Sequence, residues 1–93
     1  MLNLEKNFFK KRILIYGLGK SGLSTYSFLK KSNAISLFDD QIIAKKKIKD
    51  SLITYKEITK KEFDCIIISP GIDINKCKLS RFLKKIIKKF IQI

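Results

Sequence analysis

Gly17-Leu18-Gly19-Lys20-Ser21-Gly22 has the spacing G-x-G-x-x-G, with a short apolar run before it and a helical pattern after it. In that setting the glycines have separate tasks. Gly17 permits a tight turn, Gly19 lets a ligand approach the backbone, and Gly22 lets a helix lie close to a strand. The free amides at the helix start then face an anion such as a diphosphate, supported by Lys20 and the Ser21 hydroxyl. The plainer alternative is a glycine turn that holds no ligand. Gly19-Lys20-Ser21 also looks like the end of a P-loop, but that loop needs a glycine where Leu14 stands, so ATP hydrolysis is not expected in this turn.

Two further clusters bear on the same chemistry. Asp39 lies twenty residues past Gly19 and follows a second apolar run. There a carboxylate, from either Asp39 or Asp40, can accept hydrogen bonds from a ribose or a base. Adjacent acids at a strand end are otherwise a solvated turn. Ser69-Pro70-Gly71 breaks the apolar run Cys65-Ile66-Ile67-Ile68 and brings a third loop to the same edge.

Other chemistries lack their residues. The chain has no histidine, which removes the commonest general base and every Ser-His or Cys-His nucleophile. Cys65 and Cys77 have neither C-x-x-C spacing nor a secretory context, so free thiols are expected and no metal site is proposed. No catalytic residue is assigned.

The elements that must position these loops follow from the hydrophobic pattern. Arg12 to Tyr16 and Ala34 to Phe38 read as strands, and a helix from about Ser21 to Lys31 lies between them, with Leu23, Tyr26 and Leu29 along one face. The lysine-rich stretch from Lys45 to Lys49 leads through a helix to a third strand at Leu52 to Tyr55. Cys65 to Ile68, continuously apolar, suits a parallel strand covered on both faces. From Leu79 the apolar residues Phe82, Leu83, Ile86, Ile87 and Phe90 fall at steps of three and four, with Arg81, Lys84, Lys85, Lys88 and Lys89 opposite. This predicts an amphipathic helix that packs on the sheet, and the alternative is an anionic membrane surface. Ile91-Gln92-Ile93 reads as the start of a fifth strand. Strands alternating with helices imply an α/β, Rossmann-like parallel sheet of four to five strands with flanking helices, forming a single domain over residues 1–93.

The 93 residues carry a formal net charge of +13, with the excess at the two ends. Residues 74–93 hold seven Lys/Arg and no acid, whereas residues 32–73 hold seven of each. Lysine-rich, isoleucine-rich composition produces such a surplus without a nucleic-acid partner, and no nucleic-acid motif is present. No apolar run reaches the ~20 residues of a membrane helix, and a cytoplasmic location is expected.

Taken together, Gly17-Leu18-Gly19-Lys20-Ser21-Gly22-Leu23-Ser24, the Asp39-Asp40 pair and Ile68-Ser69-Pro70-Gly71-Ile72 resemble the amino-terminal domain of the Mur ligase family, its D-glutamate-adding branch most of all. The resemblance implies a domain that binds UDP-N-acetylmuramoyl-L-alanine. Gly19, Lys20 and Ser21 would lie by the nucleotide and diphosphate, Asp39 and Asp40 near the uracil, and Ser69, Pro70 and Gly71 on the uridine and diphosphate side. It also implies an ATP- and magnesium-dependent full-length enzyme whose central and C-terminal domains are expected outside this chain. The chain alone is then expected to bind substrate without ligating it. Two rivals remain from other classes: an NAD-binding domain of an oxidoreductase, which the glycine turn and the strand-end acid also fit, and a basic module that binds nucleic acid or a membrane surface.

Overall fold

The computed structural model describes residues 10–41, 46–85 and 90–92. Its core is a four-stranded, wholly parallel sheet. The strands are β1 (Arg12–Tyr16), β2 (Ala34–Phe38), β3 (Cys65–Ile68) and β4 (Phe90–Gln92), in the order β2-β1-β3-β4. The helices are α1 (Lys20–Leu29), α2 (Tyr55–Lys60) and α3 (Ser80–Lys85), with a 3-10 helix at Lys46–Ser51. The α/β, Rossmann-like reading therefore holds.

The apolar runs explain why β1 and β3 are central. Every residue of β3, and all but the first of β1, is buried. Side chains alternate between the two faces of a strand. Accordingly Ile13, Ile15 and Ile67 pack with Leu18, Leu29, Leu37 and Ile48 on one face. On the other, Leu14, Tyr16, Ile66 and Ile68 pack with Ile58, Phe63, Leu79 and Leu83. Each such aliphatic side chain contributes about 1.5–3 kcal/mol on burial, so these two layers outweigh the exposed ion pairs of Arg12 with Glu62 and Asp64.

Two sequence expectations need correction. Leu52 to Tyr55 is not a strand: only Leu52 makes a parallel bridge, to Leu37, and the Ile53 amide donates to the Leu37 carbonyl at 3.0 Å. The chain turns away because Thr54 caps α2. Its hydroxyl accepts from the Glu57 amide at 3.3 Å, while Glu57 accepts from the Thr54 amide at 3.0 Å. That reciprocal cap starts a helix where a strand was expected. Phe90, expected on the last helix, instead opens β4 opposite Ile66. Helix α3 is described only to Lys85, and the expectation for Ile86 and Ile87 lies outside the described residues.

The strand order positions the site. The chain leaves β1 toward β2 on one side, and β3 joins the other side of β1, so the carboxyl ends of β1 and β3 border a crevice. The turns after β1, β2 and β3 all lie at this carboxyl edge of the sheet.

Candidate functional site: three turns at the carboxyl edge of the sheet

The turn after β1 is held by its own glycines. Gly17 has φ +95, a conformation L side chains rarely adopt, and a Cβ there would meet the Ser69 Cβ at 2.8 Å. A Cβ on Gly22 would lie 1.9 Å from the Gly17 carbonyl oxygen. These two glycines let α1 start directly against the turn. Gly19 differs: a Cβ there would meet nothing within 4 Å, so its lack of a side chain leaves open space.

Gly19 is the N-cap of α1 and supplies no side-chain cap, and no acidic residue lies in the first turn. Within the helix nothing compensates the positive end of its dipole, and its first position carries the Lys20 cation; the carboxylate at this end is Asp39, which takes the Leu18 amide just before the helix. Gly19, Lys20 and Ser21 are all exposed. Gly19 and Lys20 open on a groove of about 780 Å³ that Leu18, Leu23, Ser24, Ser27 and Phe28 also line. The arrangement offers backbone N–H groups, a hydroxyl and an ammonium to an anion.

The turn after β2 braces the first. One Asp39 carboxylate oxygen accepts from the Leu18 amide at 2.7 Å and the other from the Gln41 amide at 2.9 Å. Asp40 accepts a hydrogen bond from the Tyr16 hydroxyl and another, at 3.3 Å, from the Lys78 amide. Both acids are half-buried. A second groove, about 680 Å³, opens beside this turn, with Phe38, Leu52, Ile53 and Tyr55 as its apolar lining and Asp39, Asp40, Gln41, Thr54 and Lys78 as its polar one. Tyr55 is 46% exposed there, as Phe28 is 56% exposed in the first groove.

The turn after β3 closes the third side. Ser69 is buried, and its hydroxyl donates to the Gly17 carbonyl at 2.7 Å while its amide donates to the Tyr16 carbonyl at 2.9 Å. Pro70 and Gly71 are exposed. Gln92 of β4 donates to the carbonyls of Ser69 and Ile72, at 3.2 and 2.6 Å. Thus all eight residues singled out from sequence lie at one edge of the sheet, Lys20 and Ser21 in the first turn of α1 and the other six on the three loops. Gly19, Lys20, Ser21, Pro70 and Gly71 face solvent, whereas Ser69 and the two acids hold the turns together.

Tyr16, Lys78 and Gln92 were not found from sequence. Tyr16 ends an otherwise aliphatic run, and a fully buried tyrosine needs a partner for its hydroxyl, which was the available signal. Burial, followed by the bond to Asp40, pushes its phenol well above the usual tyrosine range. Nothing marked Lys78 within its basic run. Among the described residues no group of three or more His, Cys, Asp or Glu is placed to hold a metal ion, and no helix is long and apolar enough to cross a membrane.

Residues 11–90 match the family described as Mur ligase MurD-like, N-terminal domain, a span that includes all three turns. No curated protein and no solved structure gives a significant match.

Proposed function

This chain belongs to the Mur ligase family, as a domain of the kind found in peptidoglycan-precursor ligases, and on that premise we propose that it binds the nucleotide end of UDP-N-acetylmuramoyl-L-alanine. One observation carries the reading: α1 begins at an exposed glycine with no side-chain cap, no acid in its first turn and a lysine at its first position. An anion at such a terminus is favoured by about 0.3–1 kcal/mol, and a diphosphate is the anion a sugar nucleotide brings.

In this assignment the amides of Lys20 and Ser21, with Gly19 leaving room, hold the diphosphate. The turn bearing Asp39 and Asp40 holds the base end, and Ser69, Pro70 and Gly71 form the opposite wall. Residues 1–93 serve as the substrate-binding domain of an amide ligase that adds D-glutamate in the cytoplasm. ATP and magnesium would be held by other domains of the full-length enzyme, since no G-T-N-G-K-S-T loop occurs in these residues. A nicotinamide dinucleotide fits less well, because the generic dinucleotide pattern does not call for Ser69-Pro70-Gly71.

Calorimetric titration of the chain tests the proposal. Saturable binding of UDP-N-acetylmuramoyl-L-alanine and of UDP, each tighter than NADH, is expected. Binding of NADH alone would replace it with the oxidoreductase reading, and binding abolished by modest salt without preference among nucleotides would favour a nonspecific basic surface.

A further inference from the structure

Tyr16 connects the two walls of the crevice from beneath. It closes β1, is fully buried, and sits on the sheet face covered by Ile58, Leu79 and Leu83. Its hydroxyl donates to the Asp40 carboxylate, just after β2, and accepts from the Leu79 amide at 3.4 Å, beyond β3. Lys78 completes the connection: its amide donates to the Asp40 carboxylate at 3.3 Å and its ammonium to the Asp40 carbonyl at 2.7 Å. Because β2 and β3 flank β1 on opposite sides, these bonds span the end of the central strand. The neighbouring Asp39 holds the Leu18 amide, so the turn of residues 39–41 is gripped by the glycine loop, by β1 and by residue 78 at once.

From this geometry we infer that Tyr16 and Lys78 are positioning residues for the 39–41 turn, with the Asp40 carboxylate serving as their shared anchor. The inference rests on the uridine-nucleotide reading above and adds a specific consequence. Tyr16 has no exposed surface with which to touch a ligand, so any effect of its hydroxyl on binding passes through Asp40. The effect falls mainly on the nucleoside end, because the 39–41 turn reaches the glycine loop only through Asp39 and the Leu18 amide, whereas Gly17, Gly22 and Ser69 fix the start of α1. Asp40 in this role offers one oxygen to the Tyr16 hydroxyl and the other to the Lys78 amide, whereas an Asp40 that bonded the base directly would act without either.

The test is titration of the full 93-residue chain, and of four variants, with UDP and with inorganic pyrophosphate. Tyr16→Phe, which keeps the ring in the core, and Asp40→Ala should each weaken UDP binding about ten-fold, the scale of one charge-assisted hydrogen bond. Pyrophosphate binding should stay within about two-fold of wild type, since its partners are untouched. Asp40→Asn should weaken UDP binding less than Asp40→Ala, by about three-fold, because its one carboxamide oxygen still accepts from the Tyr16 hydroxyl while the bond from the Lys78 amide is lost. Lys78→Ala, at an exposed position that the core does not depend on, should weaken UDP and leave pyrophosphate alone. If Tyr16→Phe and Lys78→Ala both bind UDP as wild type does, the positioning role is overturned while the nucleotide reading stands. The same holds if Asp40→Asn is as weak as Asp40→Ala with Tyr16→Phe unaffected, since Asp40 then contacts the base itself. If the wild-type chain binds no UDP, the nucleotide reading fails and this inference fails with it.

Discussion

The hydroxyl of Ser69 donates a 2.7 Å hydrogen bond to the carbonyl oxygen of Gly17, joining the turn after β3 to the turn after β1. The same Ser69 hydroxyl lies 2.9 Å from where a Gly17 Cβ would be and 3.1 Å from where a Gly22 Cβ would be. One buried side chain thus fixes both the conformation of the glycine turn and the distance at which α1 starts.

Ser69→Ala would leave the Gly17 carbonyl without that donor in a buried site. The expected loss of stability is about 1–3 kcal/mol, read from denaturant midpoints at unchanged m-value. UDP binding should weaken as well, since the turn loses its fixed conformation. A variant as stable as wild type would show that the carbonyl is readily hydrated.

The glycines of the loop should separate by role. Gly22→Ala drives a methyl group into the Gly17 carbonyl, so a loss of at least about 3 kcal/mol, or failure to fold, is expected. Gly19→Ala puts its methyl group into open space at an ordinary φ of −75, and its stability should stay within about 0.5 kcal/mol of wild type. That methyl group would occupy the approach to the α1 amides, so UDP affinity should fall although the fold is intact. Thermal melts and titrations of the two variants check both halves.

Much of this arrangement was legible in the chain because local physics produced it. The apolar runs of β1 and β3 are covered on both faces, and each is followed within two residues by a glycine or proline that turns the chain. The missing third strand has an equally local cause: Leu52-Ile53-Thr54-Tyr55 has strand composition, but Thr54 and Glu57 form a helix cap that turns the chain away. The Tyr16, Asp40 and Lys78 network is a different case. Its members are 24 and 38 residues apart, and only the strand order β2-β1-β3 brings them together, so no spacing rule exposes it.

At the opposite edge of the sheet, Asp64 accepts from the Arg12 guanidinium and the Arg12 amide, which lowers its carboxyl from 3.8 to about 2. A depressed folded-state pKa means stability that is fully present above the unfolded value and lost as pH falls through the folded one. Wild-type stability should therefore decline between about pH 3.8 and about pH 2 partly through this group. Asp64→Asn should flatten the decline in that window, with a small cost near neutrality because the pair is exposed. Identical pH profiles for the two proteins would remove Asp64 from the acid response.

The central claim is that the amides opening α1 receive the diphosphate of a uridine sugar nucleotide. Backbone amide shifts of the chain followed by NMR during titration with UDP test it residue by residue. Saturable shifts centred on Gly19, Lys20, Ser21 and Gly22, with a second group at residues 39–41, are the predicted result. Shifts scattered over the exposed lysines, with the glycine turn unmoved at saturating UDP, would contradict it.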